Sequence, residues 1–424
     1  AHKYAYTQDS LTKTLKKVGF KITSFVQEET NHVVTATKEN LSIKPLSIAI
    51  IQQTPDIGGA EIYMHSLVQE FLKKGNKIYL STNSDRYIEL YKGLDVKVDK
   101  ITYLIDIIGN WKGLVKALLF LPFSSYAYWQ LLSKYQKEKV DVILMSNFGE
   151  KMLVTALSVF FKIPVVWIEY SSVQMFLKNN LYFPKIIYLL LNGIPKFVIL
   201  PSKYTYNSLI IDAHVSLGKL SIVPCGTLVA KKNSKSKISE ISDRNLVIGN
   251  ISRLTREKGQ QLIIQAAPLI IKKIPSAFFV LVGEGPDKKY FQNLIDEKKL
   301  NKYFFLPGFV EDRQQYLSQM DIFVFPTIWD LEGFGVVTIE AMMQGIPVVG
   351  SNMGPVPEVI DDMQTGLLFR KGDSQDLAKK VITLAQNPSL RTRLGLAGKK
   401  KAEEKYNIVT VSQQILDILA DATL

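Results

Sequence analysis

The sequence has a single cysteine, Cys225, among its 424 residues, so no disulfide can form within the chain. A chain without disulfides suits a reducing compartment. The sequence also lacks an uninterrupted apolar run of the roughly 18 residues that a membrane-spanning helix needs, and no signal-peptide pattern opens it. We therefore expect a cytoplasmic protein without a spanning helix.

Two apolar segments come close to such a run. Residues 114–132 contain one lysine and one proline, and residues 181–200 contain two of each. Buried helices of a protein core are the interpretation that we favour for both segments. Helices that lie on the inner face of an anionic membrane stay open as the alternative.

The chain is basic, with a formal net charge of +13. Counting along the sequence gives +2 for residues 1–40, +7 for residues 41–230 and +4 for residues 231–424. A basic surface attracts nucleic acid, anionic membranes or anionic substrates, although solubility alone also explains such an excess. Apolar residues make up 47% of the chain, which is typical of a folded protein, and 424 residues are too many for one ordinary core.

From residue 46 onward, short β-branched runs alternate with amphipathic helical runs. The predicted strands are residues 47–52, 77–81, 140–145, 165–168, 197–200, 246–250, 277–282, 322–325 and 347–349. The predicted helices are residues 60–74, 260–272, 287–299, 335–344, 374–386 and 408–420. Strands separated by helices indicate parallel sheets covered on both faces.

A polar segment rich in lysine and serine, residues 230–244, is the predicted linker. It separates two units, residues 41–230 and 231–424, that each begin with a strand, a glycine turn and a helix. We therefore predict two doubly wound α/β domains that face each other across a cleft, where ligands bind at the carboxyl ends of the strands. The last predicted helix is amphipathic and is expected to pack back on the body of the protein.

One stretch, residues 326–349, combines acidic residues with a glycine turn. Glu332 and Glu340 have seven residues between them and enclose the turn Gly333-Phe334-Gly335, which opens a helix. The first N–H groups of a helix have no partner in the chain and favour an anion, while carboxylates hydrogen-bond hydroxyls. The stretch suits a phosphorylated sugar better than a bare phosphate.

Other candidate residues follow strands in the same half of the chain. Arg253 and Lys258 are two cations able to hold a diphosphate, although loop cations are usually only solvated. Gly283 lies in a strand-ending glycine loop that allows close backbone approach to a ligand. The backbone at Phe309 and Val310 could contact a nucleobase edge, with a plain turn as the alternative.

In order and spacing, these motifs resemble glycosyltransferase family 4, a family of retaining enzymes with the GT-B fold of two Rossmann-like domains. The resemblance covers roughly residues 46–420 and is strongest over residues 246–370. It implies transfer of a sugar from a nucleotide-diphosphate sugar to an acceptor hydroxyl. Bacterial or archaeal surface polysaccharide, glycolipid or lipid-linked oligosaccharide is the implied context.

The resemblance also implies a role for each matched residue. Arg253 and Lys258 would bind the donor diphosphate, and Glu332 would contact the donor sugar. Glu340 would hold the ribose hydroxyls. Backbone groups would complete the site: those of Gly335 and Val336 at the diphosphate, those of Phe309 and Val310 at the base, and those of Gly58 and Gly59 in a glycine loop lining the cleft.

This sequence departs from the family at the end of the strand at residues 165–168. The family often has a histidine there, and this chain has Glu169 and Tyr170. Glu169 could accept a proton or a sugar hydroxyl, and a structural ion pair is equally open. Cys225 replaces the asparagine of a family turn and is expected to be an inert packed thiol, while Ser202 is expected to cap a helix.

We expect no cofactor and no metal, because protein cations and a helix start can neutralise the diphosphate; the Asp330-Leu331-Glu332 sequence lies in the wrong context for a metal site. The expected partners are a nucleotide sugar and a glycan or lipid-linked acceptor, with no nucleic acid. Three rivals stay open: a nucleotide-sugar epimerase of the same fold, a non-catalytic binding subunit and a membrane scaffold.

Residues 1–40 do not follow the strand–helix alternation. Ser10 caps a predicted helix with Leu11, Leu15 and Val18 on one face, and a strand at Phe20 and another at residues 33–37 follow. This pattern resembles the C-terminal end of a class I S-adenosylmethionine-dependent methyltransferase. Because the cofactor-binding glycine strand of that family is absent, the resemblance implies a remnant without methyl transfer; a simple helix–strand extension is the alternative.

Overall fold

The computed structural model describes most of the chain, namely residues 20–28, 31–38, 44–54, 57–101, 111–172, 183–213, 215, 217–228, 238–242 and 244–424. It divides into two compact units, residues 1–45 and 46–424. The first unit contains an antiparallel hairpin of β1 (Phe20–Glu28) and β2 (Asn31–Lys38). Both strands were predicted, whereas the predicted helix at residues 11–18 lies outside the described residues. The methyltransferase resemblance stays a prediction.

The second unit begins with a seven-stranded parallel sheet of order β5-β4-β3-β6-β7-β8-β9. Its strands are β3 (Ser47–Ile51), β4 (Lys77–Thr82), β5 (Val96–Lys100), β6 (Val142–Met145), β7 (Val165–Ile168), β8 (Phe197–Leu200) and β9 (Leu220–Ile222). The helices between them are α1 (Gly59–Lys73), α2 (Asp85–Glu89), α3 (Trp111–Lys137), α4 (Phe148–Phe161), α5 (Phe183–Leu191) and α6 (Lys203–Ala213). One buried cluster unites α1 with one face of this sheet, and another unites α3 to α6 with the other face.

A six-stranded parallel sheet of order β12-β11-β10-β13-β14-β15 follows. Its strands are β10 (Leu246–Ile251), β11 (Ala277–Val282), β12 (Phe304–Gly308), β13 (Ile322–Phe325), β14 (Val348–Asn352) and β15 (Gly366–Arg370). The helices are α7 (Ser239–Ser242), α8 (Gln260–Lys273), α9 (Lys288–Glu297), α10 (Arg313–Leu317), α11 (Val336–Met343), α12 (Val356–Val359), α13 (Ser374–Gln386), α14 (Pro388–Lys405) and α15 (Ile408–Ala422). The predicted pair of doubly wound parallel sheets is thus confirmed.

The last helix, α15, packs against α1, β7 and β8 of the first sheet. A β-carbon on Gly226 would lie 3.0 Å from the Cα of Ile408, so a glycine here lets the helix approach closely. Nearby, the N–H of Thr227 donates to the carbonyl of Tyr406 at 2.8 Å. Most of the predicted linker, namely residues 230–237 and 243, lies outside the described residues.

The carboxyl edges of the two sheets meet. Glu358, in α12, accepts hydrogen bonds at 2.8 Å from the backbone N–H groups of both Lys203 and Tyr204, at the start of α6. The hydroxyl of Tyr204 donates to the carbonyl of Asp330 at 3.0 Å. Because ligands of such sheets bind at these edges, the contacts position the loops that would form a site between the sheets.

The structure corrects the predicted burial of residues 114–132. The second half of α3 packs on the sheet, and Tyr128 and Leu132 are buried there. In the first half, residues 118–123 are exposed, including Leu119 and Phe123. Burial therefore holds for only one half of this segment.

The second apolar segment is also only partly buried. Tyr188 of α5 is fully buried, whereas Ile186 and Leu190 of the same helix are exposed. Among the helices that the structure describes, none has the length and apolarity to cross a bilayer.

Candidate active site

Lys258 and Glu332 lie together at the carboxyl edge of the second sheet. Lys258 ends a short 3₁₀ turn after β10, and its Nζ atom is 2.7 Å from Oε2 of Glu332 and 4.7 Å from the ring centroid of Trp329. The next residue, Gly259, has φ +79°, and a β-carbon there would lie 1.9 Å from the carbonyl oxygen of Pro326. A glycine is therefore needed to press this turn against the end of β13.

Arg253 reaches the glycine loop of the first sheet. A β-carbon built on Gly58 would lie 3.7 Å from Nη2 of Arg253 and 3.2 Å from Oε2 of Glu61. The same Glu61 oxygen accepts the N–H of Gly58 at 2.8 Å and so caps α1. No atom lies within 4 Å of a β-carbon placed on Gly59. The loop thus leaves open space beside a guanidinium from the opposite sheet.

The start of α11 provides backbone N–H groups without a side-chain cap. Gly335 is its N-cap residue, with φ +76°, and a β-carbon there would lie 2.8 Å from the ring of Phe325. Val336 is the first helical residue, and no acidic side chain lies in the first turn. An uncapped helix start of this kind favours an anion. Phe334, just before it, is buried against the ring of Tyr406 at 5.5 Å.

Glu340 is almost fully buried on α11, and its two oxygens have different surroundings. Oε1 accepts a hydrogen bond from Nη2 of Arg313 at 2.5 Å. Oε2 is buried without a hydrogen-bond partner among the described residues. Burial raises the pKa of Glu340, and the charge of Arg313 opposes that rise. Buried polar atoms normally have a hydrogen-bond partner, so the unpartnered Oε2 atom is suited to accept a hydrogen bond from a ligand hydroxyl, such as one of ribose.

Gly283 packs against its own sheet. Its φ is +140°, and a β-carbon there would lie 2.0 Å from the carbonyl oxygen of Ser252. Its N–H donates to the carbonyl of Gly308 at 2.9 Å. The close approach that its glycine permits is therefore to the loop after β10. Phe309 and Val310 follow directly after β12, where Phe309 is exposed and Val310 is half-buried.

Glu169 lies in a buried ion pair. Its Oε1 atom is 2.8 Å from Nζ of Lys151 and accepts a hydrogen bond from the hydroxyl of Tyr188 at 3.1 Å. Lys151 also donates to the carbonyl of Ile168 at 2.8 Å. Burial lowers the pKa of Lys151, and the charge of Glu169 opposes that change. These contacts favour the ion-pair interpretation over a catalytic one.

Tyr170, the other residue at the family's histidine position, has a buried hydroxyl with no hydrogen-bond partner in the described part of the chain. Burial raises its pKa well above the usual value for tyrosine. Cys225 is buried too, and burial raises the pKa of its thiol. Ser202 accepts the N–H of Thr205 at 3.2 Å at the start of α6, as a helix cap does.

The acidic residues of the Asp330-Leu331-Glu332 sequence are both engaged by lysines. Oδ1 of Asp330 is 2.6 Å from Nζ of Lys371, and Glu332 is paired with Lys258. Within the described ranges, no group of three or more histidine, cysteine, aspartate or glutamate residues could hold a metal ion. Metal-free donor binding stays a prediction.

The sequence analysis missed several residues at these edges. Arg313 and Glu358 act on partners distant in the sequence, and no local pattern marks them. Glu150 is also buried at the first sheet, where it accepts the N–H groups of Gln53 at 3.0 Å and Asn147 at 3.1 Å. Burial raises its pKa to about 8. Here a signal existed, since an asparagine followed three residues later by glutamate is a capping pattern.

Residues 231–401 match the family model described as Glycosyl transferases group 1. The capsular polysaccharide biosynthesis glycosyltransferase CapM of Staphylococcus aureus is 29% identical over 186 residues, 43% of this chain and 47% of that protein. The GDP-mannose-dependent monoacylated alpha-(1-6)-phosphatidylinositol monomannoside mannosyltransferase of Corynebacterium glutamicum is 30% identical over 193 residues, 44% of this chain and 50% of that protein. The chain thus spans about half the length of these curated relatives.

Solved structures extend the likeness to both sheets. HepE of Anabaena, in a complex with UDP-glucose, superposes with a TM-score of 0.72 at 20% identity over 89% of this chain and 100% of that one. Sucrose-phosphate synthase of Thermosynechococcus elongatus gives a TM-score of 0.70 at 19% identity over 87% and 97% of the two chains. At these identities the likeness concerns the fold. The two-sheet unit therefore has the GT-B fold, and its residues 231–401 match the family model of Glycosyl transferases group 1.

Proposed function

We propose that the protein transfers a sugar from a nucleotide-diphosphate sugar to a hydroxyl group of a glycan or lipid-linked acceptor, with retention of the anomeric configuration. The observation that carries the proposal is the pairing of Lys258 with Glu332, which are 2.7 Å apart at the same strand edge as the uncapped start of α11. Cations and N–H donors can bind the diphosphate of the donor, and a carboxylate can accept hydrogen bonds from the hydroxyls of its sugar.

In this proposal the bound donor replaces the ion pair between Lys258 and Glu332. The diphosphate takes Lys258, assisted by Arg253 and the first N–H groups of α11, and the carboxylate of Glu332 becomes available to sugar hydroxyls. Negative charge grows on the diphosphate as the sugar leaves it. One preorganised donor to such a charge typically contributes about 3–4 kcal/mol to lowering the barrier. No metal takes part in this scheme.

The nucleoside would lie between α11 and the end of β12. The unpartnered Oε2 atom of Glu340 would accept a ribose hydroxyl, and Arg313 would hold the other oxygen. The backbone at Phe309 and Val310 would contact the base. Because these base contacts come from the backbone, they suit both a UDP-linked and a GDP-linked sugar, as in the HepE complex and the mannosyltransferase relative.

We propose a front-side route for the chemical step. The acceptor oxygen bonds to the anomeric carbon on the face from which the phosphate oxygen departs. The departing phosphate oxygen takes the proton of the acceptor hydroxyl. A double displacement needs a free nucleophile beside the anomeric carbon. In this proposal the carboxylate of Glu332 is engaged by sugar hydroxyls, and Glu169 is paired with Lys151. Mass spectrometry of a trapped covalent glycosyl-enzyme would contradict the front-side route.

The proposal is tested with a panel of nucleotide sugars and thermal unfolding. The matching donor is expected to raise the unfolding midpoint of the parent protein and of Lys272→Ala, an exposed lysine on α8, but to have a much smaller effect on Lys258→Ala. If no nucleotide sugar stabilises the parent, or if Lys258→Ala responds like the parent, the donor assignment is wrong.

Product analysis then separates the rival activities. With an acceptor, nuclear magnetic resonance should show the donor's anomeric configuration in the product. An altered sugar formed without any acceptor would instead identify an epimerase. Donor binding without turnover on any acceptor would identify a non-catalytic subunit.

A further inference from the structure

An unusual apolar surface lies on the first half of α3. Residues 118–123 are six consecutive exposed positions with the sequence Leu-Leu-Phe-Leu-Pro-Phe. Leu119 is 69% exposed and Phe123 is 60% exposed. Six helical residues make more than one full turn, so apolar side chains are exposed on every side of the helix. Exposure of this extent marks an interaction surface.

The second half of α3 holds this surface in place. Tyr128, Leu132 and Tyr135 are buried in the core of the first sheet. With 27 residues, α3 is about 40 Å long, whereas the 14-residue α4 beside it is about 21 Å long. The exposed half is therefore presented by a helix whose other half is firmly packed.

Neighbouring helices extend the apolar surface. Phe160, near the end of α4, is 69% exposed, and its ring centroid is 5.8 Å from that of Trp129 on α3. Ile186 and Leu190 of α5 are exposed on the same helical layer. We call residues 118–123 together with Trp129, Phe160, Ile186 and Leu190 the apolar layer surface.

The charged residues of α3, α4 and α5 indicate which kind of partner binds the apolar layer surface. Residues 111–137 contain four lysines and no acidic residue, and α5 has one lysine and no acidic residue. The only acidic residue of α4, Glu150, is fully buried. Lys116 and Lys162 are exposed beside the apolar residues. Lysine is depleted from protein interfaces, whereas each lysine near an anionic membrane contributes to attraction, so this composition favours lipid over protein.

The chain topology places residues 118–123 of the apolar layer surface at the sheet edge that carries the proposed site. Because α3 follows β5 and leads into the parallel strand β6, its first half lies at the carboxyl edge of the sheet. The glycine loop at Gly58 follows β3 at the same edge. A bilayer that contacts residues 118–123 would thus lie on the side of the opening between the two sheets, where a lipid-linked acceptor would enter. Phe160, at the end of α4, extends the contact toward the opposite edge.

We propose that the apolar layer surface docks on an anionic lipid bilayer, with its leucine and phenylalanine side chains in the interfacial region and Lys116 and Lys162 at the headgroups. Binding is peripheral. The hydrophobic contacts give affinity, and the lysines give preference for negative lipids.

The test is flotation of the full chain with vesicles, in the absence of any donor. One set is phosphatidylcholine alone, and the other contains added phosphatidylglycerol. The parent is expected to float with the anionic vesicles, and high salt is expected to release part of it. Leu119→Glu combined with Phe123→Glu is expected to lower the partition coefficient by at least about tenfold, because two apolar side chains that would insert into the bilayer are lost.

The matched control is Leu396→Glu, at a leucine of α14 that is 62% exposed in the other sheet domain. This variant should float like the parent. Lys116→Ala offers a second variant at an exposed position, and it should weaken binding to anionic vesicles only. Retention of a sharp thermal transition verifies that each variant is folded.

Three outcomes would overturn the proposal: no flotation of the parent with anionic vesicles, equal loss in Leu396→Glu, or conversion of a dimer to a monomer by the Leu119 and Phe123 substitutions in light scattering. The last outcome would assign the surface to a second copy of the chain. Because flotation needs no turnover, its failure leaves the transferase proposal intact, and loss of activity leaves the flotation result intact.

Discussion

A β-carbon on Gly333 would lie 1.4 Å from the carbonyl oxygen of Tyr170. Gly333 is in the loop between β13 and α11, and Tyr170 follows β7 in the first sheet. This contact therefore joins the carboxyl edges of both sheets beside Glu332. The glycine turn was predicted as part of an anion site at a helix start. At Gly333 the absence of a side chain also allows the first sheet to approach closely.

The first prediction concerns this contact. Gly333→Ala should displace the loop that carries Glu332 or force the sheets apart, because no side chain fits in 1.4 Å. Since misplacement of reacting groups by about 1 Å costs about 10²-fold in rate, kcat/KM should fall by about that factor. Gly193→Ala, where a β-carbon meets nothing within 4 Å, should keep the parental kcat/KM and unfolding midpoint. Parental activity in Gly333→Ala would contradict the role of this contact.

The second prediction separates the two partners of the donor. Glu332→Gln removes the charge that engages Lys258, so titration calorimetry should show unchanged or tighter binding of the nucleoside diphosphate. Binding of the nucleotide sugar should lose its advantage over the diphosphate, because the carboxylate that accepts sugar hydroxyls is gone. An advantage of tenfold corresponds to about 1.4 kcal/mol. An equal loss of affinity for both ligands would mean that Glu332 acts on the diphosphate side.

The third prediction uses the pKa of Glu340. Burial raises this pKa and Arg313 opposes the rise, so removing Arg313 should raise the pKa further. Donor binding needs the carboxylate to accept ribose hydroxyls, and it is lost as pH falls through the folded-state pKa. In Arg313→Gln, the pH at which nucleotide affinity is half lost should therefore move upward.

The control for this pH shift is Arg391→Gln, on α14. In the described contacts the guanidinium of Arg391 donates only to the carbonyl groups of Leu384 and Ala385, both in α13. Its pH midpoint for nucleotide binding should match that of the parent. A uniform loss of affinity in Arg313→Gln at every pH, with no change in the midpoint, would indicate that Arg313 contacts the nucleotide itself.

The fourth prediction concerns Glu358, which caps α6 from the opposite sheet. Glu358→Gln leaves one of the N–H groups of Lys203 and Tyr204 without an acceptor and removes a negative charge from a helix start. The free energy of unfolding in urea should fall by about 1–2 kcal/mol. Glu403→Gln, at an exposed and weakly paired position, should change it by less than about 0.5 kcal/mol. Equal effects would exclude a special role for the cap.

Much of the fold could be predicted because central parallel strands are buried on both faces and consist of continuous apolar runs. In the two parallel sheets, the strands that were not predicted are β5, β9, β12 and β15, which are the four edge strands. The sequence of β5, Val-Lys-Val-Asp-Lys, is mostly exposed and carries the charges that protect an edge. β5 therefore lacks the apolar run that marks a central strand.

The candidate site also has residues that the sequence marks and residues that it does not. Lys258 and Glu332 lie beside glycine turns at strand ends, and Glu340 lies in the helix that follows one of these turns, so spacing along the chain is informative. Arg313 and Glu358 lie outside such turns, and their significance comes from partners that only the folded chain brings near. Local sequence therefore predicts which elements carry a site, and tertiary packing decides which charges hold it.

The last prediction tests whether Glu169 does more than hold Lys151. Glu169→Gln leaves the buried ammonium of Lys151 without its counter-ion and should destabilise the protein by about 3–5 kcal/mol, measured by urea unfolding. Adding Lys151→Met removes that stranded charge, while glutamine still accepts the hydroxyl of Tyr188, so most of the stability should return. If the pair is structural, this double variant also recovers activity. A stable double variant without transferase activity would assign Glu169 to the reaction.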